Sequence, residues 1–289
     1  MNQSSGYLAA LRKTKMERNR NFVLKNITGV PDYQVTKFAE KSNRTALLIP
    51  VLNEGQRIIV QLEEMKRYSI PADIVIADGG STDGLLELLA ENDLNVVTFL
   101  VKLGDGQLSS QLRMGFHFCL ESGYESVITM DGNNKDNPAG VETINKALRN
   151  NADYVQGSRF VKGGKAVNTP LIRYFAIRFL HAPITSFGAK FWYTDTTNGF
   201  RGFSRKLLIS QEVSIFRNVF QSYELLAYLP IRAKQVGFKV IEVPVTRAYP
   251  LGEKTPTKIR GVRAQINLLK ILIKAVKGSY NPANSHTKD

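Results

Sequence analysis

From Thr45 onward the sequence alternates short apolar runs with longer segments of helical period, and that rhythm restricts the fold more than any other feature. The runs are Thr45–Leu52, Asp73–Ala77, Val96–Val101, Ser126–Met130 and Asp153–Gln156, and helical segments begin near Gln56, Asp83, Ser109 and Pro138. Strand and helix in repeated alternation predict an α/β chain with a mostly parallel sheet and helices on both faces. Ligands of such sheets bind beyond the carboxyl ends of the strands. Here those ends carry polar residues: Asn53 and Glu54 after the first run, Asp78 after the second, Asp131 and Asn133 after the fourth, and Gly157-Ser158-Arg159 after the fifth. A site is expected along that rim.

Several classes drop out. With 289 residues, 43% of them hydrophobic and 22% charged, the chain can build a full core, unlike a disordered or collagen-like sequence. Cys119 is the one cysteine, so neither an internal disulfide nor a thiolate zinc cluster can form. The first twenty residues lack the apolar stretch of a signal peptide, and a reducing cytoplasm is the expected compartment. There is no Walker A loop, and Gly104-Asp105-Gly106 lacks the third glycine of a dinucleotide fingerprint. The longest apolar segment, Leu171 to Trp192, is interrupted by Arg173, Arg178, His181, Pro183 and Lys190, which argues against a membrane span.

Charge is concentrated at the ends. Residues 1–44 hold nine cations against three acids, and residues 254–289 hold eight against one, whereas residues 45–253 nearly cancel at 22 against 21. This divides the chain into a basic leader (1–44), a near-neutral central domain (45–253) and a basic C-terminal helix with its tail (254–289). On a helical projection Arg263, Asn267, Lys270, Lys274 and Lys277 fall on one narrow face, and the rest is almost wholly apolar. Such a helix either lies on an anionic membrane surface or packs on the core with a solvated lysine face. Neither end interleaves aromatics with cations, so nucleic acid is not an expected partner.

Six motifs fall in order at the strand ends: Ile49-Pro50-Val51-Leu52-Asn53-Glu54, Asp78-Gly79-Gly80-Ser81-Thr82-Asp83-Gly84, Met130-Asp131-Gly132-Asn133, Gly157-Ser158-Arg159-Phe160, Asp195-Thr196-Thr197-Asn198-Gly199-Phe200-Arg201, and Glu242-Val243-Pro244-Val245. Together they resemble the inverting nucleotide-sugar glycosyltransferases of the GT-A fold, most closely the polyprenyl-phosphate mannose or glucose synthases. Leu52, Gly79 and Asn133 stand where that family has a tyrosine and two aspartates. The resemblance implies transfer of a hexose from a nucleoside diphosphate to a polyprenyl phosphate, with the enzyme peripheral on the inner face of the cytoplasmic membrane. It implies donor binding by Pro50, Asn53, Glu54, Asp78, Asp131, Gly132 and Asn133.

The chemistry is compatible with this. Bond breaking pushes negative charge onto a diphosphate, which a divalent cation, Mg²⁺ or Mn²⁺, neutralises. Asp131, Asn133 and Asp136 are the expected metal ligands. Arg159 and Arg201 are expected to grip phosphate oxygens, since a guanidinium offers a bidentate fork. Asp83 reads as an N-cap. A sugar-hydroxyl acceptor would require a base, for which Asp195 and then Glu224 are candidates. A lipid phosphate would not. Two alternatives stay open: transfer to a hydroxyl of a polysaccharide or lipid-linked glycan, and a nucleotide-sugar-binding pseudoenzyme.

Overall fold

The computed structural model describes residues 22–250 and 261–283. The first half of the chain runs β1 (Phe22–Leu24), β2 (Tyr33–Lys37), β3 (Thr45–Val51), α1 (Gln56–Met65), β4 (Asp73–Asp78), α2 (Leu85–Glu91), β5 (Val96–Lys102), α3 (Leu108–Glu121), β6 (Ser126–Thr129), α4 (Gly140–Arg149) and β7 (Tyr154–Ser158). Then come β8 (Lys165–Val167), α5 (Leu171–Ala176), a π-helical turn (Ile177–His181), α6 (Ala182–Ala189), β9 (Arg201–Ser204), α7 (Arg205–Leu208), α8 (Glu224–Gln235), β10 (Val240–Pro244), β11 (Thr246–Ala248) and α9 (Gly261–Val276). The expected strands and helices between Thr45 and Gln156 are all present within about two residues.

Nine strands form one sheet in the order β1-β2-β5-β4-β3-β6-β9-β7-β10. β5, β4, β3 and β6 are parallel, and β9 runs antiparallel between β6 and β7. Period-two alternation distributes β3 between two cores. Leu47, Ile49 and Val51 join Ile58 and Leu62 of α1 and Ile144 of α4 on one face. Ala46 and Leu48 join Phe116 of α3 and Leu225 and Leu229 of α8 on the other. Burial of each large aliphatic side chain stabilises the fold by roughly 1.5–3 kcal/mol. From β3 the chain builds outward to β5 and then returns to add β6 on the opposite side, so a topological switch point opens at the carboxyl ends of β3 and β6.

The sheet begins earlier than the sequence suggested. Tyr33–Lys37, inside the expected leader, pairs antiparallel with β5 and carries Phe22–Leu24 at its own edge. Tyr33 and Val35 are fully buried. The run is short and surrounded by charge, which hid its alternation. Residues 1–21 of the leader, with His286 and the final tail, lie outside the described residues. Of the C-terminal segment, α9 buries Leu272 and Ala275 while Arg263, Lys270, Lys274 and Lys277 remain exposed. Two of its apolar positions thus pack inward while its cations point outward.

Candidate active site

Around the ends of β3 and β4 the polar residues mostly hold one another. The Asn53 N–H donates to Ser81 Oγ (2.8 Å), and Thr82 N–H donates to Asn53 Oδ1 (2.8 Å). Both oxygens of Asp78 accept from the Ser81 N–H, at 3.1 and 2.9 Å, and the Ser81 hydroxyl bonds to the same carboxylate. Asp78 is buried, so it closes the turn after β4 instead of presenting an open carboxylate to a nucleobase. Asp83 is not the N-cap: Gly84 holds that position, and Asp83 Oδ2 accepts from Gly55 N–H at 2.8 Å, tying the two loops together. Glu54 is paired with Arg57 at 2.9 Å. Pro50 sits half-buried within β3, opposite Ala77.

At the end of β6 the loop carrying Asp131 is fixed from below by a residue that the sequence did not single out. Gln61 of α1 is fully buried; its Nε2 donates to Asp131 O (3.1 Å) and its Oε1 accepts from Asn134 N–H (2.7 Å). Two glycines make room. A Cβ on Gly132 would lie 2.6 Å from Val51 Cγ1, and one on Gly199 would lie 2.4 Å from Asp131 Oδ1. The bare Gly199 thus lets the β9 approach pass directly against the Asp131 carboxylate.

That carboxylate is 29% exposed and pairs with Arg247 at 2.9 Å. Arg247 is buried and also contacts Asp136, whose side chain is wholly covered. Burial pushes the Asp136 carboxyl up to about 6 against the pull of Arg247. Burial opposes the Arg247 charge too, but Asp136 and Asp131 outweigh it and raise its pKa. Asp136 therefore stands behind Arg247, as its counter-ion, and not beside Asp131 as a third metal ligand. Asn133 Oδ1 is buried and has no hydrogen-bond partner among the described residues. Asp131 and Asn133 present hard oxygens, which suit Mg²⁺ or Mn²⁺. Among the described residues no three His, Cys, Asp or Glu side chains cluster into a protein-only cage. Such a donor set fits a cation that draws its remaining ligands from a bound diphosphate.

The arginines and candidate bases are engaged elsewhere than expected. Arg159 and Asp195 form a buried two-pronged pair, 2.6 Å from Nε to Oδ2 and 2.9 Å from Nη2 to Oδ1. Neither is open to a phosphate or a substrate proton. Glu242 anchors the same turn, accepting from Thr194 N–H and Asp195 N–H. Burial raises its pKa. Arg201 spends its guanidinium on three carbonyls, of Asn198 (2.9 Å), Leu226 (2.7 Å) and Thr196 (2.8 Å). Glu224 accepts from Gln221 N–H (2.9 Å) and Ser222 N–H (2.6 Å) at the start of α8. His117 bonds to the Tyr33 hydroxyl at 2.9 Å, beneath β2.

A different set of cations gathers beside Asp131. Arg173 of α5 and Lys135 lie over the Tyr249 ring, 5.4 and 5.3 Å from its centroid, and Arg173 donates to the Tyr249 hydroxyl at 3.0 Å. Burial raises the phenol pKa, yet Arg247, Arg173 and Arg159 reverse this and lower it. Burial and the nearby Arg247 depress Lys135. The sequence signal for this cluster was slight: one arginine and one tyrosine just past Glu242-Val243-Pro244-Val245, in a segment of balanced charge.

Known proteins resemble the chain over most of its length. Polyprenol monophosphomannose synthase of Mycolicibacterium smegmatis is 26% identical over 84% of this chain and 91% of its own length. Undecaprenyl-phosphate mannosyltransferase of Micrococcus luteus is 27% identical over 70% of this chain and 83% of its own. Among solved structures, glucosyl-3-phosphoglycerate synthase from Mycobacterium tuberculosis, in complex with Mn²⁺, UDP and glucosyl-3-phosphoglycerate, superposes with a TM-score of 0.55. It covers 81% of this chain and 78% of its own at 16% identity, a likeness of fold. The profile of glycosyl transferase family 2 matches residues 46–210, from the first site strand to the turn beyond α7. The chain belongs to that family and is a glycosyltransferase with the GT-A fold.

Proposed function

We propose that this enzyme transfers a hexosyl group from a nucleoside diphosphate to the phosphate of a polyprenyl phosphate at a membrane surface. One observation carries the reading: near the Asp131 rim the partly exposed Arg173 of α5 reaches Tyr249, while both candidate bases are committed elsewhere. Asp195 is locked to Arg159, and Glu224 holds the first turn of α8. An acceptor that is already an oxyanion needs cations and no base, whereas a sugar hydroxyl needs a base. The names of the two mannosyl-transferring relatives agree with this acceptor class.

In this reading Asp131 and Asn133 would hold a divalent cation, which when bound neutralises the departing diphosphate. Asn53, Glu54 and the turn closed by Asp78 form the floor under the nucleoside. Arg247 balances Asp131 and Asp136 and keeps the Asp131 carboxylate aimed at the rim. Arg173 would receive the acceptor phosphate, placing its oxygen for attack on the sugar carbon, with Lys135 adding positive charge from beneath the Tyr249 ring. The test is to incubate the protein with labelled nucleotide sugars, Mg²⁺ or Mn²⁺, and either polyprenyl phosphate or a lipid-linked saccharide. Label in a sugar-phosphate-polyprenyl product supports the reading. Label only in the saccharide assigns the hydroxyl acceptor, and binding without turnover assigns a pseudoenzyme.

A further inference from the structure

The helical rod of α5, the π turn and α6 carries its hydrophobic residues on the wrong side for a water-soluble surface. Ile172, Phe175, Phe179 and Phe187 recur at helical spacing and are 87%, 56%, 70% and 82% exposed. The Phe175 and Phe179 rings stack on each other at 5.6 Å, so the stripe is continuous. Its inward side holds Ile177, Ala182 and Ala189 together with Thr185 and Ser186, whose hydroxyls donate back to the His181 and Ala182 carbonyls. Aromatic rings face outward and hydroxyls inward, the reverse of a helix that sheds water by packing. Trp192, just beyond the rod, is 72% exposed.

The charges around this stripe have one sign. Residues 171–192 contain Arg173, Arg178 and Lys190 and no acid, and residues 261–283 likewise contain no acid. α9 packs on α6, close enough that a Cβ on Gly188 would lie 2.9 Å from Val276, and it adds exposed Lys270, Lys274 and Lys277. Among the described residues no helix is long and apolar enough to cross a membrane. Aromatic side chains flanked by cations suit the headgroup boundary of an anionic bilayer, where a helix lies in plane with its apolar face sunk about 5–10 Å.

We propose that this rod is the membrane seat of the enzyme, with the C-terminal helix as an auxiliary. It rests on the polyprenyl-phosphate reading and adds the geometry that reading lacks. The inner side of the same rod delivers Arg173 to Tyr249, beside the Asp131 rim. Seating the phenylalanines in the bilayer would bring Arg173 to the depth at which a lipid phosphate emerges.

Trp192 is the only tryptophan, so the native protein reports on this face. With vesicles of phosphatidylglycerol and phosphatidylcholine, its emission should shift to the blue and be quenched by brominated acyl chains. The variant Phe175→Ser/Phe179→Ser/Phe187→Ser should keep its melting temperature and bind these vesicles roughly tenfold more weakly or worse. Lys270→Glu/Lys274→Glu/Lys277→Glu should lose less. An unchanged Trp192 spectrum in vesicle-bound protein, or full vesicle binding by the triple serine variant, overturns the proposal. So does a parent dimer that the serine variant dissolves while neither form binds vesicles, which would assign the face to a second copy. Turnover of a short, water-soluble prenyl phosphate should be equal in parent and serine variant. Were that compound no substrate for either protein, the acceptor reading would fail while the vesicle result still decided the seat.

Discussion

The two halves of the rim are built by different means. At the ends of β3 and β4, neutral donors and single carboxylates close loops without a buried ion pair: Asp78 to Ser81 three residues on, and Asn53 and Gly55 to partners 28 or 29 away. Beyond β6, buried ion pairs join residues far apart in sequence: Arg159 to Asp195 over 36 residues, and Arg247 to Asp136 and Asp131 over 111 and 116. The first half can be altered one contact at a time. In the second, removing one partner strands a charge in a place without water. The difference teaches that a cation or carboxylate on this rim has to be judged by its exposure before it is assigned a chemical role.

The sharpest test takes Asp131, an acidic side chain of the second half that remains partly open. Asp131→Ala should lower turnover by about a thousandfold or more, since direct ligation and charge neutralisation are worth several kcal/mol in the transition state. The fold should survive, because Asp136 still pairs with Arg247. Steady-state transfer assays beside a thermal melt decide it. Near-parental turnover would move Asp131 out of the catalytic half.

Next in size is the buried pair. Asp195→Asn leaves the Arg159 guanidinium uncompensated, at a cost of about 3–5 kcal/mol. The replacement Arg159→Met/Asp195→Leu should recover most of that stability, as apolar substitutes for buried ion pairs commonly do. Denaturant melts of the single and double variants measure both. A large loss of kcat with an unchanged melt in Asp195→Asn would instead make Asp195 the base and reopen the hydroxyl acceptor.

These contrasts also explain what was legible in the sequence. The strands at Thr45, Asp73, Val96, Ser126 and Tyr154 could be read because local alternation and turn residues encode them, and the order of polar residues at their ends located the rim. Asp131 and Asn133 stand at that rim as expected. The settings of Arg159, Asp195 and Arg201 could not be read, because a motif gives residue types and not their burial. Gln61 was hidden in a helical pattern where glutamine is ordinarily a surface residue, and Arg247 depends on pairing across more than a hundred residues. The outward phenylalanines of α5 and α6 were read only as too interrupted to span a membrane; which face they took was set by tertiary packing.

A smaller effect is expected at Arg201, whose three carbonyl contacts require the fork of a guanidinium. Arg201→Lys keeps the charge and can satisfy only part of that set, so it should destabilise by about 1–3 kcal/mol. KM for the donor should hold once the protein is assayed well below its melting temperature. A raised KM with an unchanged melt would return Arg201 to the phosphate-gripping role expected from its motif.

The smallest effect belongs to the foot of the first half, where acid should loosen the sheet gradually. Asp73 begins β4 and is buried, which alone would raise its pKa. Hydrogen bonds from the side chains and N–H groups of Asn43 and Ser42 outweigh that burial and hold the carboxyl below its ordinary 3.8. Tyr124 adds its hydroxyl at 3.0 Å. Because the folded pKa lies below the unfolded one, the unfolded chain takes up the proton first as pH falls. The contribution of Asp73 is therefore complete above the ordinary value and is lost on descent through the lowered one. Asp73→Asn should reduce stability at neutral pH, since an amide offers a single acceptor oxygen to this set of donors. The variant should also show a shallower decline in denaturation midpoint below about pH 4 than the parent. Equal slopes would mean that the Ser42–Asn43 turn binds the protonated acid as well as the carboxylate, and the first half would carry no acid-labile charge at this point.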